Sequence, residues 1–262
     1  MSTWIDTHAH LDDAQFADDR DTVIAGARAL GVEQIMNIGY DPASWITTLA
    51  LARRVPMIVP VLGLHPGSTE QWSVETFAAL SKLVVQERPA AIGEIGLDYF
   101  WQTDNKITQL ESFVAQIGLA RKHDLPIVIH QRGAGDDVLD VLRDQPDPLT
   151  VILHSFDGHP GLARLCLERG WFLGVGGLST RRQNEALRTL LAIFPLDFLI
   201  LETDSPYLVP SGIKSRRNTP ASIPVIGERL AGLRGIDIEM VAKQTTANVQ
   251  RAFGLRIPEH AQ

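Results

Sequence analysis

The chain has 262 residues, 45% apolar and 21% charged, which is enough apolar material for a full core and too much for a disordered tail. Its 24 Lys and Arg against 31 Asp and Glu give a net charge of −7, which argues against a protein that coats nucleic acid through a broad basic face. One cysteine, Cys166, excludes an intrachain disulfide framework.

In chain order, residues 4–6 form the first strand-like run, and Val23, Ile24, Ala27 and Leu30 mark a helix face that stops at Gly31. Residues 34–38 read as the second strand, and Trp45, Ile46 and Leu49 mark a helix with Pro42 near its start. Residues 57–62 and 90–95 are the third and fourth strands, and Ile107, Leu110, Phe113, Val114 and Ile117 mark the longest helix. Residues 126–130 and 150–154 follow as strands, then a helix carrying Leu162, Leu165 and Cys166 that Gly170 ends. Residues 171–175 are the seventh strand and Ala186, Leu187 and Leu190 a further helix. Residues 198–202 are the eighth strand, and Met240, Val241, Val249, Ala252 and Phe253 mark a closing helix.

Runs such as Ile127-Val128-Ile129, Val151-Ile152-Leu153 and Leu199-Ile200-Leu201 are apolar throughout, as in parallel strands buried on both faces. Eight such runs alternating with helices predict an α/β fold, a single (β/α)8 barrel of the TIM type spanning residues 1–262. A doubly wound open sheet is the alternative, disfavoured because no Gly-rich dinucleotide fingerprint follows the first strand. No apolar run approaches the roughly 18 residues needed to cross a bilayer. The opening Met1-Ser2-Thr3-Trp4 has no basic or apolar signal character, so a cytoplasmic protein with no membrane partner is expected.

Histidines and carboxylates gather where these strands end. Asp6-Thr7-His8-Ala9-His10 closes the first, and two residues apart in extended backbone both imidazoles project to one side. Glu94 sits at the end of the fourth strand, His130 ends the fifth and His154 the sixth, and Asp204 follows the eighth. In a barrel these ends meet at the C-terminal rim, where barrel enzymes keep their active sites. Four imidazoles with Glu94 and Asp204 exceed the needs of one tetrahedral ion and suit two divalent ions sharing a carboxylate. Glu94 is the expected bridge. Asp204 is expected to complete the site of His8 and His10 and to accept a proton from the attacking water. Imidazole-rich sites favour zinc or manganese, whereas magnesium prefers oxygen ligands.

Other residues have plainer readings. His123 reads as a helix terminus, His159 before Pro160 as a loop or helix start, His260 as tail, and Cys166 as core packing. His65, in Gly63-Leu64-His65-Pro66, is a substrate contact or a support for a ligand. Asp6, Asp98 and Glu202 flank the expected ligands and could orient imidazoles, with a loop cap as the alternative for Asp98. Arg132 is a candidate phosphate clamp, while Arg181, Arg182 and Lys214-Ser215-Arg216-Arg217 divide between that role and solvated loop charge. Tyr99 and Trp101 either stack on a base or cover the barrel's upper core.

These motifs, in this order, resemble the TatD family of metal-dependent DNases in the amidohydrolase-type barrel superfamily. The resemblance runs from Asp6-Thr7-His8-Ala9-His10-Leu11 to the closing segment Thr245 to Gly254, through Gly63-Leu64-His65-Pro66, Gly93-Glu94-Ile95-Gly96-Leu97-Asp98, Ile129-His130-Gln131-Arg132, His154-Ser155-Phe156 and Leu201-Glu202-Thr203-Asp204-Ser205-Pro206. It implies that His8, His10 and Asp204 bind one ion, His130 and His154 the other, and Glu94 both, with magnesium or manganese able to support activity. It also implies a DNase acting through metal-activated water, with Glu94 and Asp204 as its catalytic carboxylates. The acidic exterior fits the ends of single-stranded DNA as substrate, and the sequence leaves the oligomeric state open, a monomer being compatible with it. Hydrolysis of another ester or amide, such as an aminoacyl-tRNA ester, or of a small phosphoester is the alternative on the same site. The chain departs from the family pattern at Asp157, where a small hydroxyl residue is usual, at Thr219 within Asn218-Thr219-Pro220, and at Gln131.

Overall fold

The computed structural model describes residues 2–101 and 103–255; His260 lies outside them. Eight parallel strands appear where the apolar runs predicted them: β1 Trp4–Ala9, β2 Val32–Gly39, β3 Ile58–Leu62, β4 Ile92–Asp98, β5 Ile127–Arg132, β6 Val151–Leu153, β7 Phe172–Val175 and β8 Leu199–Leu201. They pair in sequence order from β1 to β8. The barrel closes just beyond β8, where Ala9 bridges Ser205 and Asp204 N donates to His8 O at 2.8 Å. The fold is a (β/α)8 barrel.

The helices are α1 Arg20–Ala29, α2 Pro42–Arg54, α3 Val74–Glu87, α4 Lys106–Lys122, α5 Gly135–Arg143, α6 Pro160–Arg169, α7 Glu185–Ile193, α8 Ile223–Arg234 and α9 Ile238–Phe253. None of the described residues forms a helix long and apolar enough to cross a membrane. The predicted pattern reveals neither α3, α5 nor α8. Burial explains two of these: α3 buries only Leu80 and Val84 and exposes Val74 and Val85, while α8 carries Gly227 because the Trp4 ring packs where a Cβ would stand; α5 buries Val138, Leu139 and Leu142 on one face. In α4 the helix is as expected but three of its five apolar markers, Ile107, Leu110 and Val114, face solvent. Gln109 and Gln116 are buried instead. Gln109 brackets the backbone of Asp98, accepting from its N at 2.8 Å and donating to its O at 3.1 Å. Gln116 does the same for Leu64, at 2.7 and 3.1 Å. Two glutamines thus pin the rim segments that carry Asp98 and His65.

Strand alternation sorts the apolar residues into two layers. Ile127, Ile129, Val151, Leu153, Leu199 and Leu201 point outward into the layer shared with the helices. Ile5, Met36, Ile38, Val61, Ala91, Val128, Ile152, Phe172 and Ile200 fill the lumen, and Val249, Ala252 and Phe253 of α9 join them. Side chains two apart on a strand face the same side. The lumen positions above Val128, Ile152 and Ile200 are therefore His130, His154 and Glu202. The apolar plug ends and a polar layer begins within one such step.

Candidate metal centre

Six side chains converge on that upper layer. His8 lies on β1 with no exposed surface, His10 follows it, and Glu94 is the third residue of β4. Asp204 adopts a left-handed backbone, φ 57°, in the segment zipped to β1. That turn leaves Asp204 Oδ1 3.5 Å from His10 Nε2, 3.9 Å from His8 Nε2 and 3.8 Å from His154 Nε2. Glu94 sits among the rest: Oε2 is 3.4 Å from His8 Nε2, and Oε1 is 2.8 Å from His130 Nδ1 and 3.7 Å from His154 Nε2. The rings of His8 and His154 stack at 3.4 Å between centroids.

The outer nitrogens decide what the inner ones can do. An imidazole whose outer N–H donates to a carbonyl or carboxylate presents a lone pair on its inner nitrogen, which is how proteins prepare histidine for a metal. His10 Nδ1 faces the Ile38 carbonyl at 3.3 Å and His130 Nε2 faces Asp98 Oδ2 at 3.0 Å, while His154 Nδ1 lies 3.1 Å from Glu202 Oε1 as an ion pair outside hydrogen-bond geometry. In each the remaining nitrogen turns to Glu94 or Asp204. Both ring nitrogens of buried His8 lack any hydrogen-bond partner, an expensive arrangement that a cation beside Nε2 would relieve. Donor atoms about 2.1 Å from one ion stand roughly 3–3.5 Å apart, the spacing of the His8–Glu94 and His10–Asp204 pairs. His8, His10 and Asp204 form one compact donor group, His8, His154 and Glu202 a second, and His65, Glu94 and His130 a third. This chain can hold metal with this donor set.

Charge follows the same geometry. Burial alone would favour neutral imidazoles, but Glu202 and Glu94 overcome it and raise His154 to about 10, while Asp98 and Glu94 raise His130 to about 9. Burial likewise disfavours ionised carboxylates, yet the surrounding imidazoles hold Glu94 well below, and Asp204 below, the usual range. Burial wins at His65 and drops it to about 3. His65 Nδ1 accepts from Gly67 N at 2.9 Å, so its proton sits on Nε2, 3.8 Å from Glu94 Oε1. A neutral N–H donor aimed into the site suits a substrate oxygen better than a metal.

The flanking carboxylates separate. Glu202 faces His154 as expected, and Gly174 makes this possible, because a Cβ there would collide with Glu202 Oε2. Asp98 does both jobs proposed for it, holding His130 through Oδ2 while Oδ1 accepts from Phe100 N and Trp101 N, each at 2.9 Å. Asp6 touches no imidazole. It accepts instead from His8 N at 3.2 Å and Thr203 N at 2.9 Å, binding β1 to the segment beyond β8. Thr203 and Asn218, which donates to Thr203 O at 2.8 Å, complete that tie. They carry no metal-type side chain, so motif reading passes over them.

Elsewhere the plain readings stand. His123 caps the end of α4, His159 caps the start of α6, and Cys166 is buried. Arg217 ties Asp19 and the Gln15 carbonyl, a structural role. Arg132 is exposed and has no ion-pair partner among the described residues; its guanidinium lies over the Phe100 ring. Asp157 is exposed and accepts from His159 N at 3.1 Å, so it serves a turn. Tyr99 packs on the outer core, whereas Trp101 is 69% exposed.

Residues 5–254 match the sequence model of a family described as TatD related DNase. A Bacillus subtilis protein named uncharacterized metal-dependent hydrolase YabD is 34% identical, over 95% of this chain and 98% of its own length. A Salmonella typhimurium protein named 3'-5' ssDNA/RNA exonuclease TatD is 37% identical, covering 95% of this chain and 98% of its own. Among solved structures, the TatD homologue YjjV from Escherichia coli superimposes with a TM-score of 0.91 at 29% identity, covering 97% of this chain and 98% of that one.

Proposed function

We propose that this chain, which belongs to the TatD family of metal-dependent hydrolases, hydrolyses phosphodiester bonds at or near the ends of single-stranded DNA. The carrying observation is the orientation of His10, His130 and His154. Each outer nitrogen faces a carbonyl or carboxylate, and each inner nitrogen is turned to Glu94 or Asp204. In this reading His8, His10 and Asp204 would hold one divalent ion, of magnesium, manganese or zinc, and His130 and His154 a second, with Glu94 available to both. When bound, such ions lower the pKa of water toward neutrality and offset the charge that grows on the phosphoryl and leaving oxygens.

The chain's own groups do the rest. Asp204 reaches the cavity from the segment beyond β8, its carboxylate 15% exposed where Glu94 is 4%, so it takes the proton of the attacking water. His65 offers its Nε2–H to a phosphoryl oxygen, and Arg132 offers a fork of donors to a neighbouring phosphate. Water is the nucleophile in this reading, and Cys166 is buried in the core. Relatives named single-strand exonucleases support the substrate class, and a net charge of −7 fits a strand end better than a gripped duplex.

A time course on end-labelled oligonucleotides with magnesium or manganese tests this, comparing the parent protein with Glu94→Ala. Ladder formation from the parent alone is expected, with a shallow salt dependence because few phosphates are neutralised, and closed circular DNA should resist. Turnover of an aminoacyl ester, an amide or a small phosphoester, with none of DNA, would move the reaction to another bond on the same site.

A further inference from the structure

We propose that the turn after β4 is a stacking platform for an unpaired nucleobase of the strand whose phosphate enters the metal centre, with Trp101 as its principal surface. Its starting point is an exposure that folding does not explain. Phe100 is 59% and Trp101 69% exposed, and the two rings meet edge to face at 4.8 Å between centroids. Large aromatic faces left in water at a catalytic rim are available to a π-faced ligand, and every base has such a face.

Two cations reach these rings, in a turn that also holds Asp104 and whose Tyr99 hydroxyl donates to Asp137 Oδ2 at 2.7 Å. The Arg132 guanidinium lies 4.3 Å from the Phe100 centroid and 5.3 Å from that of Trp101, and Lys106 Nζ lies 4.0 Å from the Tyr99 centroid. Neither cation has an ion-pair partner among the described residues, in a chain whose overall charge is −7. Aromatic faces interleaved with unneutralised cations are the signature of single-strand binding.

One carboxylate joins this turn to the chemistry. Asp98 Oδ2 holds His130 Nε2 at 3.0 Å, while Oδ1 receives the amides of Phe100 and Trp101, and Tyr99 N donates to Arg132 O at 2.9 Å. The platform is therefore fixed relative to the His130 ring through a single side chain. A base seated on it would set which phosphate reaches Glu94, and a paired end would have to open before it could sit there. This inference rests on the nuclease reading and adds to it the recognition of bases.

Fluorescence anisotropy of short phosphorothioate-linked strands, which resist cleavage, decides it. A strand with all its bases is compared with the same strand carrying abasic terminal nucleotides, each made as DNA and as RNA. Trp101→Ala is expected to weaken binding of the ordinary strand about tenfold and of the abasic strand less than about twofold, with Trp101→Tyr recovering most of the loss. Dependence on Trp101 in only one sugar series would name the natural strand. Equal losses on ordinary and abasic strands, or no loss on either, would overturn the platform. Failure of the parent protein to cut any strand with any metal would remove the nuclease reading instead, and leave the anisotropy comparison to judge the platform by itself.

Discussion

The lumen of this barrel has two floors built from the same strands. On the lower floor Val128, Ile152 and Ile200 are packed among apolar neighbours; one step up, His154 faces Glu202, Glu94 and Asp204, and His130 faces Glu94 and Asp98. The difference is one alternation along the strand, yet the lower floor supplies stability through buried apolar area and the upper one stores charge that burial disfavours. The lower floor holds the fold, and this allows the upper one to remain poorly satisfied, as the unpartnered nitrogens of His8 attest.

This contrast can be broken from above or below. On the upper floor, Glu94→Gln should lower phosphodiester cleavage by about 10³-fold or more while the cooperative melt is retained. On the lower, Ile152→Ala should cost about 2–5 kcal/mol in denaturant unfolding, with metal bound per folded molecule unchanged. Loss of metal in the second variant, or of folding in the first, would show that the floors are not separable.

A glycine pair sharpens the same point. Gly174→Ala pushes the Glu202 carboxylate off its seat and should weaken metal binding about 10–100-fold in a chelator titration. Gly26→Ala, where a Cβ meets nothing within 4 Å, should leave metal affinity alone.

The pH response should differ between loaded and metal-free protein. His130 and His154 have folded values raised from 6.5 to about 9 and about 10, so their contribution to the stability of the metal-free protein is complete below pH 6.5. It is lost as pH rises through 9 and 10. The Tm of the chelated protein should therefore fall across that window, whereas apparent metal affinity climbs as the same protons leave, a release measurable in weakly buffered solution. The smallest effect is expected at Asp157, which is exposed and serves a turn: Asp157→Ser should change cleavage by less than about twofold.

Much of this was legible beforehand. Continuous apolar triplets such as Val151-Ile152-Leu153 mark buried parallel strands whatever surrounds them, and a histidine or carboxylate directly after such a run has few other places to go. The unreadable parts depend on partners distant in sequence. Gln109 and Gln116 look like solvated helix residues and prove to bracket rim backbone, while Ile107 and Val114 look like core and face water. Asp6 sits beside two ligand-type histidines in sequence, but its partner is Thr203, 197 residues away. Periodicity reports which face is apolar; it does not report which polar groups a loop will need.

The central claim is that the upper floor is a cage for cations that act on a phosphodiester. Metal content of protein purified without chelator, followed by strand cleavage before and after EDTA, tests it most directly. About two divalent ions per chain are expected, with cleavage abolished by EDTA and restored by readded metal. Metal-free protein that cuts DNA indifferently to EDTA would contradict the account.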